Sequence, residues 1–158
     1  MLALPLLTFR TIDPDADAAL AYENYLEAAR ASFGGAERGM SSHAYLQWLR
    51  RRVEEFPDGH VLAMTENGDG PVGQMELQVP YGLTIGYVNL FTVARRYRGL
   101  GFGRAIHEYA VRYFRSWEAD TIELHVSPSN DPALTFYRRM GYRYVRSEGA
   151  LWRMAKDL

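Results

Sequence analysis

The chain has 158 residues, of which 47% are hydrophobic and 23% are charged, with a formal net charge of −1. This length accommodates one sizeable core, so we expect a single domain over residues 1–158. The near-zero net charge gives no general attraction to nucleic acid or to an anionic membrane, and we predict neither as a partner. The chain has no cysteine, which excludes disulfides and thiolate nucleophiles. Its four histidines are widely spaced, so we predict no metal site.

The first seven residues are apolar but few, and they lack a basic leader. They run directly into Phe9–Ile12, a segment typical of a strand rather than of a secretory signal. From this pattern we expect a cytoplasmic protein.

The first half of the chain carries one strand pattern, then two helix patterns, then two further strand patterns. A strand is predicted near residues 6–12, and Asp13 opens a cluster typical of a helix start. The first helix ends at Gly34 and Gly35, and its apolar positions are Leu20, Tyr22, Tyr25, Leu26, Ala29 and Phe33. Ser41 or Ser42 caps a second helix, with an apolar face of Tyr45, Leu46, Leu49, Val53 and Phe56. Residues 60–65 and 72–79, joined by the turn at residues 67–70, predict an antiparallel hairpin.

The second half alternates strand and helix. Residues 84–93 continue the sheet and lead through a glycine-rich turn into a helix with one apolar stripe: Ala105, Ile106, Tyr109, Ala110, Tyr113 and Phe114. A strand at residues 121–126 precedes a helix that begins near Asn130 and stops before Gly141. Two closing strands follow, at residues 142–145 and 151–154. The absence of internal repeats favours one α+β layer arrangement with a mixed sheet.

The glycine-rich turn has the composition of a phosphate-binding site. Glycines at positions 99, 101 and 103 allow positive φ and leave no Cβ in the way, so backbone N–H groups can converge on an anion at the helix N-terminus. The dinucleotide fingerprint fails because Arg104 stands where its third glycine would be. The nucleotide P-loop fails because no Lys-Ser or Lys-Thr pair follows a glycine. The remaining pattern is Arg98-x-x-Gly101-x-Gly103.

This pattern resembles the [RQ]-x-x-G-x-[GA] motif of the GCN5-related N-acetyltransferase (GNAT) superfamily. Downstream, the segment from Val126 to Tyr142 follows the family's V-x-x-x-N-x-x-A-x-x-F-Y-x-x-x-G-[FY] pattern at every specified position. The detailed resemblance covers roughly residues 87–146. It implies the acyl-CoA N-acyltransferase fold, with a mixed, mostly antiparallel sheet of six to seven strands flanked by about four helices. It also implies direct transfer of the acetyl group of acetyl-CoA to a primary amine, without a protein nucleophile.

The resemblance assigns acetyl-CoA to a defined set of residues. The turn that holds the pyrophosphate consists of Arg98, Gly99, Leu100, Gly101, Phe102, Gly103 and Arg104. Phe91, Thr92 and Val93 offer backbone groups to the pantetheine arm, which Asn130 also supports. An amide near Thr92 or Val93, freed by a bulge, polarises the thioester carbonyl. Arg95 and Arg96 are either further phosphate contacts or solvated surface charges.

Two side chains are expected to move protons. Tyr137 occupies the motif position of the acid that protonates the CoA thiolate. Relatives often carry a carboxylate on the strand before the turn, but residues 87–90 contain no acid. His125 is the preferred general base, while Glu76, Glu123 or a water molecule are alternatives, the two glutamates being more typical of solvated charges. His107 is expected on the helix surface.

Alternatives to an N-acetyltransferase remain at this point. A catalytically silent acyl-CoA-binding module would have the same turn and would fit the missing strand carboxylate. An unrelated nucleotide-binding α/β protein is disfavoured by the failed dinucleotide fingerprint. The closing strands also make a homodimer possible.

Overall fold

Seven strands and four α-helices form in the described residues, 3–33 and 39–158 of a computed structural model. In chain order they are β1 (Leu7–Thr11), α1 (Ala18–Phe33), α2 (Ser42–Glu55), β2 (His60–Thr65), β3 (Pro71–Gln78), β4 (Ile85–Val93), α3 (Phe102–Ser116), β5 (Thr121–Val126), α4 (Asp131–Arg139), β6 (Arg143–Glu148) and β7 (Leu151–Asp157). The strands form one sheet in the order β1-β2-β3-β4-β5-β7-β6. Only the β4–β5 pair is parallel, which confirms the predicted mixed, mostly antiparallel sheet.

Local sequence explains where the helices begin. The Ser41 hydroxyl accepts a hydrogen bond of 3.2 Å from the Ala44 N–H, so Ser41 caps α2. Asn130 caps α4 in the same way, through a 3.3 Å hydrogen bond from the Ala133 N–H. The predicted end of α1 at Gly34 and Gly35 lies outside the described residues.

The closing strands are longer than predicted. Strand β7 extends to Asp157 because it pairs with β5 on one side and with β6 on the other. Residues 155–157, which the sequence pattern did not assign to a strand, therefore pair with β5.

The sheet is covered on both faces. Buried residues of α3 and α4 pack on one face against alternate strand residues such as Met75, Leu77 and Leu124. On the other face, Tyr45 and Leu49 of α2 pack against β-strand residues of the first half of the sheet. Burial of these side chains supplies the main stabilising free energy of the fold. None of the helices in the described part of the chain is long and apolar enough to cross a membrane.

Strands β4 and β5 separate halfway along their length. Their pairing runs from Ile85 opposite Thr121 to Val88 opposite Leu124 and then stops, although both strands continue. At the same level β4 shifts register against β3, because Leu77 pairs with Val88 while Glu76 pairs with Leu90. Asn89 is thus the extra residue of a β-bulge. The separation opens the sheet into a cleft.

Candidate active site

The cleft between β4 and β5 has a volume of about 1020 Å³. Residues of α1, α3 and α4 complete its walls, and its inner end lies at Val88 and Leu124, where the strands part. This volume is at the upper end of the range for small-molecule sites and suits a long ligand. The residues predicted from the sequence that line it are Phe91, Thr92, Val93, Arg98, Gly99, Gly101, Gly103, Arg104, His125, Asn130 and Tyr137.

The edge of β4 that faces the cleft carries unpaired peptide groups. The Ala94 N–H, just after β4, donates to the Val72 carbonyl of β3 at 2.7 Å. Because antiparallel pairing alternates, the peptides of Thr92 and Leu90 also face β3, whereas those of Phe91 and Val93 face the cleft. Strand β5 has already separated there. The Val93 carbonyl accepts a hydrogen bond from Arg98 Nε. An extended ligand can therefore pair with β4 as an additional strand through the Phe91 peptide and the Val93 N–H.

The bulge lies further from the turn than the expected amide donors near Thr92 or Val93. It is centred on Asn89, an exposed residue whose side-chain oxygen accepts from Gln78 Nε2 at 3.4 Å. The bulge turns the following residues of β4 relative to the first half of the strand. This change in the direction of β4 helps to separate it from β5.

The glycine-rich turn ends at the N-terminus of α3. Gly99 and Gly101 have φ values of +75° and +86°, which side chains other than glycine rarely adopt. The N–H groups in the first turn of a helix have no helical acceptor, and no side chain caps α3 in their place. They are available to an anion at the positive end of the helix dipole. The geometry therefore fits a pyrophosphate.

Gly103 does not have the positive φ expected from the sequence, and it instead allows close helix packing. It lies inside α3, and a Cβ there would come within 3.1 Å of Phe136 Cε2 and within 3.7 Å of Val93 Cγ2. The missing side chain allows α4 to approach α3 closely. That approach brings the adjacent Tyr137 to the cleft wall.

The arginines of the turn have different partners. Arg98 Nε donates to the Val93 carbonyl at 2.8 Å, and its Nη2 lies 2.6 Å from Glu27 Oε1 on α1. Arg95 is 84% exposed and lies 3.8 Å from the same carboxylate. Arg96 instead donates to the Asp69 carbonyl and to the Tyr97 hydroxyl, away from the cleft. Thus Arg98 mainly fixes the turn to β4 and α1.

Leu100 and Phe102 differ from the other predicted cofactor-binding residues. They line a separate shallow hollow together with Tyr97 and Arg96. Only their backbone groups can therefore contribute to the phosphate turn.

Tyr137 lies in an aromatic wall of the cleft. Its ring is surrounded by those of Phe91, Phe136 and Tyr142, at centroid distances of 6.3, 5.5 and 5.4 Å. Burial raises the pKa of the Tyr137 hydroxyl above its ordinary value. No hydrogen bond to the hydroxyl contributes to this shift. It is consequently protonated at neutral pH and able to donate to a ligand.

His125 is held between two side chains. Its Nδ1 is hydrogen-bonded to the Tyr87 hydroxyl, and its Nε2 lies 2.8 Å from Glu148 Oε2. Arg153 Nε contacts the other carboxylate oxygen of Glu148 at 2.6 Å. The hydrogen bonds from Arg153 and then from His125 lower the pKa of Glu148 to about 2, so the carboxylate is ionised.

Tyr87 and Glu148 were not identified from the sequence. The sequence showed that Glu123 shares its face of β5 with His125, but the pairing of Glu123 with Tyr87 is visible only in the structure. The position of Glu148 depends on the insertion of β7 between β5 and β6. No local pattern in the sequence indicates that insertion.

The two glutamates considered as alternative bases are not solvated charges, contrary to the expectation. Glu76 is only 1% exposed, and it is hydrogen-bonded to Tyr45 and Gln74 at 3.2 and 3.3 Å. Burial raises the pKa of Glu76 to about 7. It lies outside the cleft lining. Glu123 has a side chain that is 13% exposed and lies 3.4 Å from Arg153 Nη1.

The expectation that His107 lies on the helix surface is wrong. Helix α3 packs against both the sheet and α4, so His107 is only 3% exposed and faces the cleft. Its Nε2 lies 2.8 Å from the Tyr142 hydroxyl. Burial lowers its pKa to about 4, and the ring is neutral at physiological pH. Within the described ranges, no three side chains form a metal-ligand group.

The split sheet, the turn at the start of α3 and the free edge of β4 define an acyl-CoA N-acyltransferase fold. The sequence profile described as the Acetyltransferase (GNAT) family matches residues 21–142. The chain belongs to this family, which confirms the resemblance.

Known relatives agree with this assignment. Mycothiol acetyltransferase from Corynebacterium kroppenstedtii is 29% identical over 130 residues, which cover 72% of this chain and 36% of that protein. N-alpha-acetyltransferase 30 from Schizosaccharomyces pombe is 26% identical over 110 residues, covering 66% and 72% respectively. The chain thus spans little more than a third of the first relative.

A solved structure shows the same fold. It is the PaiA N-acetyltransferase from Thermoplasma acidophilum in complex with coenzyme A. The TM-score is 0.71 at 17% sequence identity, over 97% of this chain and 99% of that one.

Proposed function

We propose that this protein is an N-acetyltransferase that transfers the acetyl group of acetyl-CoA directly to a primary amine. The observation that carries the proposal is the free edge of β4, which lies between the phosphate-binding turn and the Tyr137 hydroxyl. A ligand with a pyrophosphate, an amide-containing arm and a terminal thioester matches these three features in that order.

The acyl donor is held mostly by backbone groups. The N–H groups from Gly99 to Arg104 bind the pyrophosphate, and the Phe91 peptide and the Val93 N–H pair with the pantetheine arm. Asn130 supports the same arm from the opposite wall, with the side-chain nitrogen that its helix-capping role leaves available. Binding along this length fixes the thioester beside the reacting amine.

Two groups stabilise the transition state. A cleft-facing N–H of β4, at Phe91 or Val93, donates to the thioester oxygen as it becomes negative, an effect worth a few kcal/mol in enzymes of this kind. Tyr137 donates its proton to the sulfur of the departing CoA.

The acceptor ammonium must lose a proton before it attacks. Both ring nitrogens of His125 are engaged, so the proton reaches His125 through the Tyr87 hydroxyl rather than directly. His125 lines the cleft and Tyr87 does not, so a water molecule carries the ammonium proton to the Tyr87 oxygen, and Tyr87 passes its own proton to Nδ1. This pathway assigns the base to His125, with Tyr87 as the relay between the water and the imidazole.

The acceptor side of the cleft is bounded by the C-terminal half of α1, including Ala28, Ala31 and Ser32. The acidic side chains nearby are paired with arginines: Glu27 with Arg98, and Glu123 and Glu148 with Arg153. Because little uncompensated negative charge remains, we propose an acceptor that presents one amine rather than a polycation. The relatives carry different names, mycothiol acetyltransferase and N-alpha-acetyltransferase 30.

Thiol release in the presence of an amine panel tests the proposal. The panel contains an amino-acid amide, short peptides with free N-termini, an amino sugar and a polyamine. We expect release of CoA thiol with at least one singly charged amine. A protein that binds acetyl-CoA in calorimetry but releases no thiol would instead be a silent acyl-CoA-binding module.

Two further expectations belong to this proposal. We propose a cytoplasmic location, which cell fractionation tests. We also propose a homodimer formed through the closing strands, and light scattering of the purified protein gives its mass in solution.

A further inference from the structure

A line of three side chains crosses the face of the sheet beside the cleft. It runs from Tyr87 on β4 through His125 on β5 to Glu148 at the end of β6. We propose that Glu148 is a positioning residue, which holds His125 in the tautomer whose Nδ1 accepts the proton from Tyr87. This inference rests on the proposed function and extends it to a residue that touches neither substrate.

The tautomer follows from hydrogen-bonding chemistry. An ionised carboxylate only accepts hydrogen bonds, so the nitrogen that faces Glu148 Oε2 at 2.8 Å must carry the proton. In a neutral imidazole the other nitrogen then holds the lone pair. That nitrogen is Nδ1, which faces the Tyr87 hydroxyl. The arrangement parallels the acid–histidine pair that orients the base in serine hydrolases.

Two arginines keep Glu148 ionised and in place. Arg153 Nε and Arg146 Nε lie 2.6 and 2.7 Å from Glu148 Oε1. Glu148 Oε2 accepts a longer hydrogen bond of 3.4 Å from Arg153 Nη2 and lies 2.8 Å from His125 Nε2. The β6–β7 pairing produces this geometry, since Arg146 is opposite Arg153 and Glu148 is opposite Leu151.

Charged groups from four strands surround the imidazole. Besides Tyr87 and Glu148, they are Glu123 on the same strand, Arg153 opposite His125 on β7, and Arg146 on β6. Glu123 shares Arg153 with Glu148 but makes no hydrogen bond to His125. It therefore provides a matched control, because removing either carboxylate takes one negative charge from Arg153.

The proton balance of the step is simple. The ammonium N–H bond breaks and an O–H bond forms on Tyr87, while the original Tyr87 proton moves to His125 Nδ1. The resulting imidazolium is stabilised by Glu148 and releases its proton to water after the product leaves. No oxidant, reductant or further reactant is needed.

The kinetic test compares Glu148→Gln with Glu123→Gln across a range of pH, at saturating acetyl-CoA and with the amine found in the panel. We expect kcat of Glu148→Gln to fall by about 10- to 100-fold, the range known for side chains that orient a metal-binding histidine. Glu123→Gln should retain the wild-type kcat. Glu148→Asp, which keeps a carboxylate, should restore part of the rate.

A second measurement reads the tautomer without turnover. Long-range ¹H–¹⁵N correlation spectra of the imidazoles, with His125→Gln used for assignment, should show His125 protonated at Nε2 in the wild type and in Glu123→Gln. In Glu148→Gln we expect a mixture of tautomers. Thermal unfolding of each variant shows that the fold is retained.

The results separate the two levels of the proposal. An unchanged tautomer and kcat in Glu148→Gln would overturn the positioning role, as would an equal loss in Glu123→Gln. If His125→Gln is inactive while Glu148→Gln is fully active, only this inference fails. A wild-type protein that binds acetyl-CoA but acetylates no amine would refute the proposed function and this inference together.

Discussion

The conformation of Gly101 gives a quantitative test of the phosphate-binding turn. Its φ of +86° lies in the left-handed region, and a Cβ there would meet only Pro5, at an ordinary distance of 3.6 Å. Substitution by valine therefore acts through the backbone rather than through a packing clash. An L-residue in this region costs about 1–2 kcal/mol, and a β-branched residue costs more.

We expect Gly101→Val to relieve this strain by leaving the left-handed region, which rotates the first amides of α3 away from the anion. A free-energy difference of about 1–2 kcal/mol corresponds to roughly a 5- to 30-fold change in an equilibrium constant. Calorimetric titration should thus show acetyl-CoA binding weakened by at least about fivefold.

Gly82→Val is the matched control. Gly82 lies between β3 and β4, at the opposite end of β4 from the turn, with a φ of +75° and no atom within 4 Å of its Cβ position. It should lower the free energy of unfolding by a similar amount and leave acetyl-CoA affinity unchanged. Equal affinities in wild type, Gly82→Val and Gly101→Val would refute the phosphate-binding role of the turn.

Two other variants test the chemistry and the packing. Tyr137→Phe should lower kcat by about 10²-fold or more, with acetyl-CoA affinity nearly unchanged, because the hydroxyl acts only as the sulfur leaves; an unchanged kcat would remove Tyr137 from the mechanism. Burial raises the pKa of Glu76 from 4.5 to about 7, so the folded state binds more protons than the unfolded chain between these pH values. The free energy of unfolding should fall as pH rises through this window, by about 3 kcal/mol in all, and Glu76→Gln should abolish that fall in denaturant titrations at pH 4 and 8. A pH dependence identical in wild type and Glu76→Gln would show that Glu76 is not the group responsible.

Local sequence patterns predicted the helices and strands because the spacing of apolar residues within each element depends only on that element. In β5, the alternation of Ile122, Leu124 and Val126 with polar residues placed His125 on the opposite face, as observed. The positive φ of Gly99 and Gly101 likewise followed from residue type. These features depend on neighbours in sequence.

The remaining features depend on contacts between distant elements. Glu76 was expected to be a solvated charge, but α2 covers that side of β3 and supplies Tyr45 to the buried carboxylate. The contact between His125 and Glu148 spans 23 residues and exists because β7 inserts beside β5. Strand order depends on the whole chain, so no short stretch of the sequence predicts it.

Contacts of α1 link the acceptor side of the proposed site to its phosphate-binding side. Glu27 on α1 holds Arg98 at 2.6 Å, and Arg98 in turn holds the Val93 carbonyl. Asn24, one turn earlier on α1, donates to Gln74 at 2.9 Å. Helix α1, which bounds the acceptor side, is thereby attached to both the phosphate turn and β3.

The most direct test of the central claim is detection of the product by mass spectrometry. The wild-type protein is incubated with acetyl-CoA carrying a ¹³C-labelled acetyl group and with the amine panel. We predict a labelled acetyl group on the nitrogen of at least one amine, formed in equal amount with free CoA and strongly reduced with Tyr137→Phe. Stable acetyl-CoA binding with no labelled amine would contradict the account.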